Sequence, residues 1–513
     1  NYLIDGEDIM KNIKKGFALL LIMVLGFSLL VGCSNDSNET QGNEAAEVKA
    51  DEIVYAFVTF NNVPESTKEV EEAINEITVP KINVKVKLRP YSVSSYSQQV
   101  NLALQSGEQL DVFHSLGDLS QLITKQQILA IDDLLDEYAA ETRDLQGEMI
   151  NAAQNDGQLY GIPAYKGVAY APCFIYRKDI MGKLGIDPES ISDIYDLEKV
   201  FEKIQEKYPD MIPLAAANQG DLGLTNVFAN MNDVDFLSDD FREAKGVLIG
   251  DSYTVEDFYR SDVFKEEIKL ARDWYKKGYI GKDAAISTTL APELISSDRA
   301  FGYITSYAGK YASAQVAVQT GKPIGLIRLG EPQLASDNVN AISWVISSQS
   351  KNPESAMKFM NLTFTNKDIV NLIVFGIEGR DYVKVDDVHV KYPEGEDATT
   401  VPYTAQISNG IVGNQFIQYM TMGADPADLE LMKKENQSAK TTQSYGFTFD
   451  SSNVSIEISS ITNVINEYLP GLQTGSLDPE KELPNFIKAL DDAGMGTIIE
   501  EKQKQLDDWL ETQ

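Results

Sequence analysis

The pattern of apolar and polar positions predicts alternating strands and helices in the first part of the chain. "EIVYAFVTF" (52–60) is rich in Val, Ile and aromatic residues, which is typical of a strand. "PESTKEVEEAINEIT" follows as a helix with Pro64 in its first turn. "KINVKVKLRPY" (81–91) alternates with a period of two, so it predicts a half-buried strand.

The same order of elements continues along the chain. "SSYSQQVNLALQSGEQL" predicts a helix that is closed by Gly107, and "DVFHSLGD" (111–118) starts as a strand and ends as a loop. The order strand, helix, strand, helix, strand is typical of an α/β fold with a parallel sheet.

Later segments indicate how this region is connected to the rest of the chain. The aromatic-rich stretch 159–179 is mostly extended and suits a crossing between two lobes. Residues 339–364 read as strand, loop and helix, and a hairpin is predicted around Asp386-Asp387. From 479 to 513 the apolar residues recur near a period of 3.6, so the chain is predicted to end in helices.

The N-terminal pattern predicts export. The short basic stretch that begins at Met10 precedes an uncharged apolar run, and together they predict a secretory signal over 10–32. The run is short for a membrane span, which needs about 20 apolar residues. Residues 1–9 are expected to be an upstream extension.

The cysteine after this run suggests lipid attachment. Leu30-Val31-Gly32-Cys33 resembles the lipobox of bacterial lipoproteins, in which Cys33 would receive a diacylglyceryl group and become the first residue. An ordinary signal with an incidental cysteine is the alternative. The polar segment up to residue 50 predicts a flexible tether, so residues 33–50 would comprise the lipidated cysteine and this tether.

Composition narrows the class of partner. The chain has 78 acidic and 44 basic residues, and its formal charge is −34. Such a surface repels phosphate backbones, which argues against nucleic-acid binding. A hydrophobic content of 43% fits a globular body, and the length predicts two or more lobes. Only Cys173 follows Cys33, so no disulfide can form within the mature chain.

The sequence gives little support for an enzyme. It has two histidines, His114 and His389, and it lacks the motifs of serine hydrolases, zinc proteases and nucleotide-binding loops. His389 is expected to be exposed in the hairpin, and Cys173 to be a buried small residue. No cofactor or metal site is predicted. A carboxylate pair for glycoside cleavage stays open, because acidic residues are abundant.

Several short segments resemble, in the same order, those of bacterial extracellular solute-binding proteins. "LALQSGEQLDVFHS", "YGIP" with "FIYRKDIMGKLGI", "WYKKGYI" and "ISSQSKNPESAMKFMN" are similar to recurrent segments of that family. "FGIEGRDYV", "YGFTFD" and the stretch that begins "EYLPGLQTGSLDPEKELPNF" resemble one lipoprotein subgroup with a C-terminal region of unknown role. The resemblance covers nearly all of residues 51–513.

This resemblance implies an α/β, two-lobed periplasmic-binding-protein-like (type II) fold with hinge crossings and an added C-terminal helical region. Lobe 1 is expected to comprise 51–165 and 345–380, and lobe 2 to comprise 166–344 and about 400–513. The resemblance further implies delivery of a ligand to the permease subunits of an ATP-driven ABC importer. We expect a monomer, anchored by lipid at the extracellular face of a Gram-positive membrane.

The ends of the first and third predicted strands supply candidate ligand-binding residues. In the related maltose-binding proteins the loop after the strand that Asp111 enters faces the cleft, which implies roles for His114 and Asp118. His114 could instead pack at the strand end, and Asp118 could cap a turn. Phe60 and Asn61 end the first strand, where another cleft loop is expected.

The crossing segment supplies Tyr165, Lys166 and Tyr170, near the floor between the lobes. The corresponding segment of maltose binders has a ligand carboxylate near Tyr170, so its replacement by tyrosine argues against maltose-like specificity. Tyr165 and Tyr170 could also be core aromatics, and the sequence leaves both interpretations open.

Four further candidates complete the set. Tyr307 lies where those relatives have a stacking tryptophan, and Trp344 lies in the second crossing strand, where it could stack on a ligand or pack inside. Asn414 and Phe416 in "GNQF" are candidates for the cleft. Aromatic faces and amides suit the C–H faces and hydroxyls of a sugar.

These observations together predict a carbohydrate receptor of an importer. A peptide or other small-solute receptor of the same fold is the first alternative. A surface enzyme that degrades polysaccharide is the second alternative, and product formation would distinguish it from both receptors.

Overall fold

The computed structural model describes residues 49–60, 63–117, 119–310, 312–405 and 411–511. The predicted signal, the lipidation site Cys33 and most of the tether lie outside these residues, as do Asn61 and Asp118. Residues Ala50–Gln513 form one unit. In the described part of the chain, no helix is both long and apolar enough to cross a membrane.

Two sheets form the centre of this unit. In chain order their strands are β1 Asp51–Thr59, β2 Val84–Ser92, β3 Val112–His114, β4 Ile162–Pro163, β5 Ala171–Arg177, β6 Ile212–Ala215, β7 Ala300–Tyr307, β8 Ile324–Arg328 and β9 Ser343–Ile346. Small sheets of two or three short strands lie outside these two sheets, with strands at Gln154–Asn155, Gln158–Leu159, Val234–Asp235, Leu248–Ile249, Gln333–Leu334, Val383–Lys384, His389–Lys391, Met420–Thr421 and Lys440–Thr441.

Helices cover both sheets and form the end of the chain. They are α1 Thr67–Ile82, α2 Tyr96–Ser106, α3 Leu119–Thr124, α4 Asp132–Tyr138, α5 Ala140–Gln146, α6 Lys178–Leu184, α7 Leu197–Lys207, α8 Leu224–Met231, α9 Asp262–Lys277, α10 Ala291–Ser296, α11 Ala312–Thr320, α12 Ser336–Asn340, α13 Pro353–Thr365, α14 Lys367–Phe375, α15 Pro426–Ser438, α16 Ser455–Gln473, α17 Pro479–Ala493 and α18 Met495–Leu510.

The first sheet has the strand order β2-β1-β3-β9-β4. β1 pairs in parallel with β2 and with β3, which confirms the predicted α/β order at the start of the chain. β9 returns antiparallel to β3. The core of this sheet includes side chains from α1, α2, α13 and α14.

The second sheet has the order β8-β5-β7-β6. β7 runs parallel to β6 and antiparallel to β5, so β6 and β7 end at the same edge of the sheet and β5 begins there. Two apolar clusters pack against this sheet, and the larger of the two includes side chains from α7, α8, α9 and the C-terminal helices α16, α17 and α18.

Some details differ from the sequence-based expectations. The first helix was predicted to end near residue 78, but it continues through Pro80 to Ile82. It ends there because Asn83 adopts the left-handed conformation (φ 55°). The chain from about residue 400 onward was expected to belong to lobe 2, but Tyr403, Val412 and Tyr419 belong to the core of the first sheet.

The hairpin around Asp386 is confirmed, with Val383–Lys384 antiparallel to His389–Lys391. His389 was expected to be exposed, yet only 16% of its side chain is. Its ring lies within hydrogen-bond distance of the Asp386 carboxylate (2.9 Å) and the Ala424 carbonyl (3.0 Å), and these contacts hold it against the hairpin.

Candidate functional site

Two predicted site residues, His114 and Trp344, lie inside the core of the first sheet. His114 is 1% exposed and Trp344 is fully buried. Their ring centroids are 4.7 Å apart, and Tyr55 stacks on Trp344 at 4.8 Å. The Trp344 indole N–H donates to the Ile411 carbonyl at 3.1 Å. Neither ring offers a free face to a ligand in this structure, which favours the packing interpretation for both.

The buried position of His114 also determines its charge. Its Nε2 lies 3.0 Å from the Tyr55 hydroxyl, and its Nδ1 has no partner among the described residues. Burial lowers the pKa of His114 to about 3. The imidazole is therefore neutral at physiological pH and acts as a core aromatic.

A second group of predicted residues fastens the crossing segment to the chain beyond 410. The Tyr165 N–H donates to Gly413, and the Tyr165 ring meets Phe416 edge-on at 5.1 Å. The Asn414 side chain donates to the Phe364 carbonyl and accepts from the Phe416 N–H, each at 2.9 Å. Asn414 and Tyr165 are buried, so their contacts are largely structural.

Lys166 connects the crossing segment to α15. Its carbonyl accepts a hydrogen bond of 2.6 Å from the side-chain amide of Asn436. Asn436 also accepts from the backbone N–H groups of Val168 and Ala169. One buried amide therefore holds three consecutive peptide groups of the crossing in place.

Among the predicted site residues that the structure describes, Phe60 stays most open to solvent. It follows β1 directly, and 47% of its surface is exposed. A large exposed ring at the carboxyl end of a parallel strand is placed where ligands bind in open α/β sheets.

Tyr170 and Tyr307 lie together at the edge of the second sheet. Tyr170 exchanges two backbone hydrogen bonds with Gln333, of 3.1 and 2.9 Å. Tyr307 pairs in register with Ala171, the neighbour of Tyr170. Both tyrosines are half-buried, and Tyr170 borders a cavity.

This central cavity has a volume of about 410 Å³. It lies where β6 and β7 end and β5 begins, which is the edge at which open α/β sheets bind ligands. Its walls also include the start of α8, the segment around 234–242 and residues that precede and begin α12. The apolar surfaces of Phe236 and Phe241 stand beside many amide and hydroxyl groups.

Three amides in the cavity are free to bind a ligand. The side chains of Asn218, Asn226 and Asn338 have no hydrogen-bond partner among the described residues, and all three retain exposure to solvent. Asn230 differs, because its amide nitrogen donates to the Glu331 carbonyl (2.9 Å) and its amide oxygen accepts from the Glu331 N–H (3.0 Å). Each free amide can donate and accept hydrogen bonds at once.

The cavity is also acidic. Asp221, Asp235 and Asp337 line it, opposite one guanidinium, that of Arg242. Loss of hydration within the surrounding protein raises the pKa of Asp337 to about 6, and the charges of Asp235 and Asp240 contribute. Burial likewise raises the pKa of Asp221. The excess of carboxylates favours neutral or cationic ligands over anions.

Two smaller cavities adjoin the central one. The first, of about 290 Å³, shares Val234, Asp235, Gln333 and Thr442 with it. The second, of about 280 Å³, shares Asp221 and Arg242. Both smaller cavities therefore border the central cavity through shared lining residues.

Most of these polar residues were not singled out from the sequence. Asn218 follows β6 at its carboxyl end, the same signal that pointed to Phe60, so it could have been found. Asn226 lies on α8 and Asn338 on α12, and their spacing carries no distinguishing pattern. No cluster of three or more His, Cys, Asp or Glu side chains suited to a metal ion is found among the described residues.

Comparison with known families gives two matches. The model of the bacterial extracellular solute-binding proteins matches residues 70–373, and that of a domain of unknown function matches residues 443–511. A carbohydrate ABC transporter substrate-binding protein of Streptococcus pneumoniae is 27% identical over 514 aligned residues, which cover 98% of this chain and 99% of that protein.

Solved structures agree with the fold. The N-glycan transport solute binding protein of S. pneumoniae has a TM-score of 0.76 and 24% identity, and the alignment covers 90% of this chain and 99% of that one. The S. pneumoniae substrate binding protein FusA, in complex with kestose, has a TM-score of 0.57 and 18% identity, with 90% and 100% covered. The two-lobed fold is thereby confirmed, and the chain belongs to the bacterial extracellular solute-binding proteins.

Proposed function

We propose that this protein is the carbohydrate receptor of an ABC-type importer and binds an uncharged oligosaccharide in the central cavity. The observation that carries this proposal is the set of three amides, Asn218, Asn226 and Asn338, that have no partner in the described part of the chain and lie at the carboxyl edge of the second sheet. They stand beside the ring of Tyr170 and two phenylalanines.

The chemistry of the cavity suits a sugar. Each sugar hydroxyl is both a donor and an acceptor, and a side-chain amide meets both demands in one group. Aromatic faces pack against the apolar C–H faces of the ring. We further propose that Phe60 on the first sheet contacts the bound ligand when the lobes close by hinge motion, as two-lobed binding proteins do.

The charge of the cavity narrows the ligand class. Three carboxylates and one guanidinium would repel an oligouronate or a sialylated glycan, whereas a neutral glycan carries no charge to be repelled. The two adjoining cavities add volume next to the central one, which supports an oligosaccharide over a single sugar.

The relatives support the transport role. One is named as a carbohydrate ABC transporter substrate-binding protein, and another as an N-glycan transport protein. The receptor would then hand its ligand to the permease subunits of an importer. No chemical step is part of this role.

A glycan screen tests the proposal. The soluble domain from about residue 51 is titrated by calorimetry with kestose, a high-mannose N-glycan, an alginate oligosaccharide and a mixed peptide pool. We expect a neutral glycan to bind and the alginate oligosaccharide not to bind. Exclusive binding of peptides would contradict the carbohydrate assignment, and cleavage of a bound glycan during long incubation would indicate an enzyme.

The membrane anchor is a separate part of the proposal. Cys33, in its lipobox-like setting, would carry the lipid that keeps the receptor beside the importer. The variant Cys33→Ser should leave the membrane fraction or stay unprocessed. Normal maturation and full membrane retention of that variant would refute the anchor.

A further inference from the structure

One wall of the central cavity is a single irregular segment, residues 235–246, which we call the wall segment. Phe236, Ser238, Phe241 and Arg242 of this segment line the cavity. Its only regular element among the described residues, beyond the strand end at Asp235, is a short 3₁₀ turn at Phe241–Glu243. A wall of this kind depends on outside contacts for its shape.

The backbone of the wall segment is also in an unfavourable conformation. Leu237 and Ser238 have φ angles of 52° and 68°, so two consecutive residues with side chains adopt the left-handed region. In that region Cβ crowds the neighbouring carbonyl oxygen, and such residues persist only where surrounding contacts hold them.

Those contacts come from the C-terminal region, residues 443–511. The Asp235 carboxylate accepts hydrogen bonds from the Leu237 N–H (3.0 Å) and the Ser444 N–H (2.6 Å). The Ser238 hydroxyl donates to the Phe447 carbonyl at 2.9 Å. Leu237 is therefore linked to the C-terminal region through the Asp235 carboxylate, and Ser238 is bonded to it directly.

Lys502 on α18 contacts the middle of the wall segment and its end. Its ammonium group is 2.7 Å from the Asp239 carboxylate and 3.2 Å from the Gly246 carbonyl. The same Asp239 oxygen accepts from the Lys245 N–H at 2.8 Å. Lys502 is fully buried, and its burial lowers its pKa while Asp239 opposes that shift.

Apolar packing reinforces the polar contacts. Leu237, fully buried, shares a small core with Phe447 and Leu506 of the C-terminal region. Trp509 packs against this core and meets Phe447 edge-on at 5.9 Å. The C-terminal region thus supplies both the hydrogen bonds and the apolar floor beneath the wall segment.

We propose that the C-terminal region acts as a clamp that shapes the ligand site, with Lys502 as its main positioning residue. The relevance to ligand binding rests on the proposed function, whereas the clamp itself does not. Without the contact to Lys502, Asp239 would be left as a partly buried charge that only backbone groups stabilise, and the contact that joins Asp239 and Gly246 to α18 would be lost.

Hydrogen exchange on the ligand-free protein tests this directly, so a failed glycan screen would not affect the result. The variant Lys502→Met removes the charge and keeps the apolar stem. Lys504→Met is the matched control, because Lys504 is exposed on the same helix. We expect the amides of residues 237–246 to exchange about tenfold faster in Lys502→Met, while β5 and β7 keep their protection.

The control variant should exchange as the wild type does. Ser238→Ala provides a milder change if Lys502→Met fails to fold, and it should loosen the same segment to a smaller degree. Unchanged exchange in 237–246, or a uniform rise over the whole second sheet that follows a lowered melting temperature, would overturn the clamp.

Discussion

The two sheets differ in whether the polar atoms near them have hydrogen-bond partners within the protein. In the first sheet Tyr55, His114 and Trp344 form a closed stack whose polar atoms mostly find partners inside the protein. At the edge of the second sheet, Asn218 and Asn226 have no partner among the described residues and border a cavity. The first sheet thus pairs most of its polar atoms internally, whereas the edge of the second sheet leaves amides available, which is the basis of the proposed ligand site.

The sheets differ as well in the ionisable groups that they bury. His114 in the first core is neutral, because burial lowers its pKa to about 3. Behind the cavity of the second lobe, Glu267 is 1% exposed, and burial raises its pKa to about 8, with Asp221 adding to the shift. Both groups are held in their uncharged form, but they respond to pH in opposite directions.

The largest effect is expected in the first sheet, for Trp344→Ala. Loss of a fully buried indole should lower the free energy of unfolding by about 3–5 kcal/mol. Denaturant titration measures this, and glycan affinity should be normal wherever the protein remains folded. A stable variant that no longer binds glycan would contradict the assignment of Trp344 to the closed core of the first sheet, since Trp344 would then be a ligand contact.

Glu267→Gln probes the second lobe. The folded pKa of about 8 lies above the ordinary value of 4.5, so the stability that protonation provides is complete below pH 4.5 and declines up to pH 8. Over that window the wild type should lose stability relative to the variant, by up to about 1.4 kcal/mol per pH unit.

Above pH 8 the difference between the two proteins should stay constant. Glutamine keeps an acceptor for the Thr225 hydroxyl, which is 2.7 Å from Glu267 Oε1, so folding should be preserved. A difference in stability that does not change between pH 5 and 8 would show that Glu267 is ionised in the folded protein.

The smallest effect is expected for Asn226→Ala in the cavity. Because its amide has no partner within the described ranges of the chain, its removal should change the free energy of unfolding by less than about 0.5 kcal/mol. The affinity for the bound glycan should fall by about 0.5–1.5 kcal/mol, as for the loss of one hydrogen bond. Asn485→Ala, an exposed amide on α17, serves as the control and should change neither quantity.

Much of the fold could be predicted from local patterns. The period-two alternation of 81–91 and the glycine at 107 gave β2 and the end of α2, since these signals are local. The family resemblance added the crossings. The place of residues 403–419 in the first core depends on contacts that no local pattern records.

The candidate site was harder to predict for the same reason. Phe60 could be proposed because it ends a predicted strand, and Tyr170 could be proposed from the family resemblance of the crossing segment. Whether an amide is free or used, as Asn226 and Asn230 show on one helix, depends on a backbone segment about a hundred residues away. Only the folded structure determines which of two similar residues remains available.

Hydrogen exchange with and without the best-binding neutral glycan of the screen tests the central claim most directly. We predict protection of residues 217–242 and 333–338 on the second lobe, together with the end of β1 beside Phe60. Amides around His114 and Trp344 should not change, because they are already buried. Failure of every neutral glycan to bind, or protection confined to regions away from the cavity, would contradict this account.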